Sequence, residues 1–145
     1  MQLFSADALR YPILLLLGES YSGKTEFAKS LFSNPLELKV GGLSQFPDGL
    51  RDFKRGVHDA IVLDDLRDLR FLTENQDKIQ GKYDGLIEFA TTAGGACKYE
   101  LYLFKVPIVA TANFSTKNLD LLDSHDWLRR SSNCRVVVWK SPWSS

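Results

Sequence analysis

The sequence predicts an α/β domain built on a mostly parallel sheet, and two observations carry that prediction. Short apolar runs alternate with stretches of helical spacing, the pattern that arises when buried strands are joined by crossover helices. The first run, Ile13 to Leu17, is apolar at every position, as a strand covered on both faces requires. At 145 residues the chain is the size of one domain and long enough to bury a substantial core. We read residues 1–145 as a single domain with its core from about 12 to 139.

Ile13 to Leu17 is the first strand. A helix is expected over Thr25 to Phe32, where Phe27, Ala28, Leu31 and Phe32 share one face before Ser33-Asn34-Pro35 ends it. Leu36 to Val40 alternates as a second strand, and Asp48 to Arg55 reads as a short helix with Leu50 and Phe53 inward. Ala60 to Leu63 is the third strand, running into Asp64-Asp65, and Leu66 to Ile79 has helical spacing. Leu86 to Phe104 reads as a hairpin turned at Ala93-Gly94-Gly95. Pro107 to Thr111 and Arg135 to Trp139 are the fourth and fifth core strands.

The bulk composition excludes several classes. Eighteen basic and eighteen acidic side chains leave no net charge to advertise a nucleic-acid or membrane partner. The two cysteines, Cys97 and Cys134, lack metal-ligand spacing and have no histidine near them, so reduced, buried thiols are expected. The apolar run at Ile13 is too short to span a bilayer and has no small-residue cleavage site after it. A soluble intracellular protein is expected, with no membrane partner.

Gly18-Glu19-Ser20-Tyr21-Ser22-Gly23-Lys24-Thr25 fits G-x-x-x-x-G-K-[ST] without mismatch, between a strand and a helix as the mechanism of that loop requires. Its backbone N–H groups would converge on phosphate oxygens, with glycines permitting the tight wrap and the helix start adding its own donors. Lys24 would reach the β- and γ-phosphates of ATP, and the Thr25 hydroxyl would ligate Mg²⁺. Hydrolysis needs carboxylates as well. "AIVLDDL" supplies two at the end of a buried strand, where α/β sheets gather their ligands. Asp64 would hold the metal and Asp65 would act on the attacking water. Two acids capping a solvated strand end would look the same in sequence.

"VPIVATANFS" delivers Thr111 and Asn113 at another strand end. Asn113 would bond the γ-phosphate and the water through an uncharged amide, or else cap the next helix from Ser115 onward. Arg129 and Arg130, in "WLRRSSNCRVVVW", are candidates for an arginine presented to a neighbouring subunit's nucleotide; a solvated helix end is the plain alternative.

The order of phosphate loop, apolar strand with Asp64-Asp65, a hairpin region with "TTAGG", and strand with Asn113 resembles the superfamily 3 helicase domain. It is most similar to the replication initiators of small circular single-stranded DNA viruses and related plasmids, over about Ile13 to Val138. The resemblance implies an AAA+-like P-loop NTPase with a parallel sheet of order 5-1-4-3-2 and a β-hairpin insertion. It also implies ATP and Mg²⁺, and assembly into hexameric rings around single-stranded DNA. Position by position it implies Walker A at Gly18 to Thr25, Walker B at Ile61 to Asp65, a sensor at Asn113 and a finger at Arg129 or Arg130. The family's DNA-gripping segment falls between about Lys78 and Lys105.

That segment departs from the family. Residues 74–105 are slightly acidic, and Ala93 stands where a basic residue often precedes the paired glycines. Lys98 and Tyr99 could supply one cation and one stacking ring per subunit, or belong to an ordinary hairpin. Initiators also carry a nicking domain with paired histidines; His58 and His125 stand far apart here, so nicking is not expected. Three readings stay open at this point: an ATP-driven DNA helicase or translocase, a small-molecule P-loop kinase, and a non-catalytic nucleotide-dependent interaction module.

Overall fold

The computed structural model describes residues 12–19, 23–42, 46–54, 56–79, 86–90, 98–102, 106–130 and 133–138. In chain order the elements are β1 (Ile13–Gly18), α1 (Lys24–Ser30), β2 (Pro35–Lys39), a 3-10 turn (Asp48–Asp52), β3 (Ala60–Leu66), α2 (Arg70–Glu74) and α3 (Gln76–Ile79). They continue as β4 (Leu86–Ala90), β5 (Lys98–Tyr102), β6 (Ile108–Asn113), α4 (Thr116–Ser124), α5 (Asp126–Arg129) and β7 (Cys134–Val138). Five strands form one sheet in the order β2-β3-β6-β1-β7, with every neighbouring pair parallel. With the five sheet strands renumbered in chain order and the hairpin left out, this is the expected 5-1-4-3-2. β4 and β5 pair antiparallel as a separate two-stranded sheet, the expected hairpin, whose turn at Ala93-Gly94-Gly95 lies outside the described residues.

β1 shows why an unbroken apolar run suits a central strand. Ile13, Leu15 and Leu17 join the larger core with Ile61, Leu63, Ile108 and Ala110, beneath Leu50, Phe71, Leu72 and Trp127. Leu14 and Leu16 point the other way, with Val62 and Val109, and meet Ala28, Phe27, Leu31 and Phe32 on the α1 side. All five β1 residues from Ile13 to Leu17 are at most 3% exposed, so each side chain contributes roughly 1.5–3 kcal/mol of burial. The hairpin docks on the larger core through Phe89, which meets Phe46 edge-on at 5.4 Å and stacks on Tyr99 at 5.5 Å.

Residues 66–79 are not the single helix their spacing suggests. β3 continues to Leu66, which pairs with Ala112 of β6, and two short helices follow, separated by Asn75. Leu66, Leu69 and Leu72 are all fully buried. A strand end, a turn and a helix thus reproduce the i, i+3 spacing that one helix would give. Among the described residues no helix is long and apolar enough to cross a membrane. Cys134 is buried with its thiol free, and burial pushes its pKa up to about 12; Cys97 lies outside the described residues.

Candidate functional site

A parallel sheet turns the C-terminal ends of its strands to one edge, and there, among the described residues, four segments distant in sequence line a half-open cavity of about 880 Å³. Gly23, Lys24 and Thr25 line it after β1, Lys39 to Gly41 after β2, Asp64, Asp65 and Arg67 at β3, and Thr111 and Asn113 at β6.

Gly23 precedes α1 with φ 85°, in the left-handed region; a Cβ there would meet nothing within 4 Å, so conformation rather than space calls for glycine. This turn sends Lys24 back under the end of β1. Its Nζ donates to the Gly18 carbonyl at 3.2 Å, to the Glu19 carbonyl, and to Asn113 Oδ1 at 3.0 Å. Lys24 is only 7% exposed, and burial lowers its pKa against the pull of Asp65, Asp64 and Glu19 toward the charged form. A buried ammonium that donates to neutral oxygens and faces a cavity is suited to exchange some of those acceptors for an anion.

Beside it, Thr25 Oγ1 donates to Asp64 Oδ1, and Thr111 Oγ1 donates to the same oxygen at 3.1 Å. The Asp65 N–H donates to Thr111 Oγ1 at 3.0 Å. Asp65 itself has φ 59° and a half-exposed carboxylate whose Oδ2 lies 3.9 Å from Arg67 Nε. Exposed pairs at that distance contribute little, so Asp65 keeps its freedom to turn.

These donors fit Mg²⁺. A small hard cation prefers oxygen ligands and takes one or two carboxylates, with water and substrate phosphates completing its shell. The Thr25 hydroxyl can keep its proton on Asp64 while presenting a lone pair to a cation. Among the described residues no group of three or more His, Cys, Asp or Glu gathers to hold a metal without such a substrate.

Of the sequence-predicted residues, Gly18, Gly23, Lys24, Thr25, Asp64, Asp65 and Asn113 come together at this edge, and Glu19 touches it through its carbonyl. Ser20, Tyr21 and Ser22 lie outside the described residues. Asn113 takes Lys24 and leaves the helix cap to Ser115, whose side chain accepts from the Asn118 N–H at 3.1 Å. Arg129 and Arg130 are exposed at the end of α5 and do not line the cavity. The Tyr99 ring is half-buried, with Phe89 stacked on it and Arg51 5.7 Å from its centre, so its packing is committed to the protein. Lys98 begins β5.

Three contributors escaped the sequence reading. Lys39 ends β2 in register with Asp64; the strand-end rule that selected Asp64 and Asn113 also selects it once β2 lies beside β3. Arg67 has no local signal. Asn118, 1% exposed, joins the loops that follow β3 and β6: its Oδ1 accepts from the Leu69 N–H at 3.1 Å, and its Nδ2 donates to the Arg67 and Asn113 carbonyls at 3.5 and 3.4 Å. Asp68 ties the same loops at the surface, accepting from Arg70 and from Lys117 at 2.7 Å; the Arg70 bonds, foremost, hold its carboxyl well below the usual range. No protein-family model matches the chain, and no curated protein matches it.

Proposed function

We propose that this chain is a P-loop nucleoside triphosphatase: a domain whose β1–α1 turn binds the phosphates of ATP and whose β3 acids serve the hydrolysis. More narrowly, the proposal is an ATP-dependent DNA helicase or translocase of the superfamily 3 type, working as a homo-oligomer on single-stranded DNA in replication.

The observation that carries the first step is the convergence of the Lys24 ammonium, the Thr25 hydroxyl, the Asp64 carboxylate and the Asn113 amide on one cavity. In this reading Lys24 Nζ exchanges the Asn113 and backbone oxygens for phosphate oxygens, neutralising charge that grows on them during transfer. Thr25 and Asp64 would hold a magnesium ion, which would supply charge neutralisation of the triphosphate. Asn113, relieved of Lys24, orients the attacking water, and a carboxylate oxygen of Asp65 takes that water's proton. The second step is supported by the strand order, in which β6 with Asn113 lies between β1 and β3, and by the antiparallel hairpin before β6. The exposure of Arg129 and Arg130 suits a group offered to a neighbouring subunit.

The test is ATP turnover across a protein concentration series, with and without single-stranded DNA. Turnover per subunit is expected to rise with concentration and with DNA. Turnover indifferent to DNA would remove the helicase reading and leave the triphosphatase. Phosphate transfer to a metabolite would favour a kinase, and tight binding without turnover would favour an interaction module.

A further inference from the structure

We infer that Thr111 is a positioning residue that divides the labour between the two acids, fixing Asp64 as the metal-side carboxylate and turning Asp65 toward water; this rests on the nucleotide reading above. The register of β3 against β6 carries the inference. Leu63 pairs with Ala110 and Leu66 with Ala112, so two residues of β3, Asp64 and Asp65, face one residue of β6, Thr111. That is a β-bulge, and the left-handed φ of 59° at Asp65 belongs to it.

A bulge leaves ladder groups without their regular partners and re-aims side chains. Here the Thr111 hydroxyl replaces the missing ladder bond, accepting from the Asp65 N–H at 3.0 Å, while its own proton goes to Asp64 Oδ1 at 3.1 Å. One hydroxyl therefore holds the backbone of one acid and the carboxylate of the other. Thr111 is 1% exposed, so water does not readily take its place. Thr25 bonds the same Asp64 oxygen, so two hydroxyls hold that carboxylate. Thr111 ties Asp65 through the backbone, while the Asp65 carboxylate, 3.9 Å from Arg67 Nε, stays half exposed beside the cavity.

Valine matches threonine in shape and has no hydroxyl, whereas serine keeps the hydroxyl and drops the methyl. The full chain is compared with Thr111→Val and Thr111→Ser in two measurements. The first is the affinity for a slowly hydrolysed ATP analogue with and without Mg²⁺; the second is hydrogen exchange of the Asp65 amide without nucleotide. Thr111→Val is expected to keep Mg²⁺-free affinity within about twofold, lose about tenfold of the gain given by Mg²⁺, and speed Asp65 exchange about tenfold. Thr111→Ser is expected to restore both. Should Thr111→Val not fold, Thr111→Ala takes its place.

A hydroxyl-free variant with the parental Mg²⁺ gain overturns the positioning role while leaving nucleotide binding intact. So does failure of Thr111→Ser to restore that gain, which would assign the effect to the methyl. If the parent binds no nucleotide, the functional reading fails, and parental Asp65 exchange in the hydroxyl-free variant would separately overturn the hold on the bulge.

Discussion

Replacing Lys24 with methionine separates a lysine kept for a ligand from one kept for the fold. Methionine retains most of the buried stem and removes the ammonium. Among the described residues, the acceptors that lose a donor are the Gly18 and Glu19 carbonyls and Asn113 Oδ1. Against that loss, the ammonium of a residue only 7% exposed no longer has to be desolvated, the cost that already lowers its pKa. The two nearly cancel, and stability should change by no more than about 1 kcal/mol, a Tm shift of about 4 °C or less for a domain of this size. Affinity has no such compensation. Two charge-assisted bonds to phosphate at about 1.5 kcal/mol or more each amount to at least ~3 kcal/mol, or a Kd weakened roughly 150-fold. Thermal melting and titration with a fluorescent ATP analogue measure both quantities on one preparation. Binding within about threefold of the parent would refute the phosphate role, because an uncharged side chain cannot replace that attraction. Loss of several kcal/mol of stability would instead make Lys24 a structural tie.

Asp65→Asn should bind the analogue as the parent does and lose turnover by about 10²-fold or more, since an amide cannot take the proton of water; parental turnover would remove Asp65 as base. Its backbone should be undisturbed, because asparagine tolerates the left-handed conformation. Arg129→Ala and Arg130→Ala, each mixed with Lys24→Ala protein, should recover turnover for whichever arginine acts across a subunit boundary, and unchanged turnover at unchanged oligomer size would make both surface residues. Asp68 carries a depressed carboxyl pKa in the folded chain, so it binds protons less readily there than when unfolded. Its contribution to stability is therefore complete above about pH 4 and is lost as acid titrates the folded carboxyl. Solvent screening limits it to about 1 kcal/mol. Asp68→Asn should flatten the fall of Tm between about pH 5 and pH 2, and an unchanged slope would refute the assignment.

Four core strands were legible as short apolar runs, and β2 by its alternation. Their bounds moved by one to three residues: β3 runs on to Leu66, and at β2 and β6 the terminal residues pair although their side chains give no sign of it. The strand order is a property of non-local pairing and came from the resemblance, since no local pattern encodes which strand lies beside β1. Lys24 was singled out by its loop motif, and Asp64, Asp65 and Asn113 by residue type at strand ends; the fold brings all four to one cavity. The bulge was not legible, because its cause is a count of two residues against one on a strand more than forty positions away. Asn118 was hidden for the same reason: on α4 it reads as an ordinary polar position, and only the fold shows it buried between two loops. Leu66 misled because apolar spacing does not distinguish the last residue of a strand from the first turn of a helix.

The pairing of β1 has a consequence for how the chain is made. Leu14 finds its partners at Val109 and Arg135, so the most apolar segment leaves the ribosome long before either neighbour exists. At synthesis rates of about 5–20 residues per second it waits on the order of ten seconds. During that interval the run of leucines is a sticky, unshielded ribbon, and the yield of native protein depends on what keeps it from other nascent chains until β6 arrives.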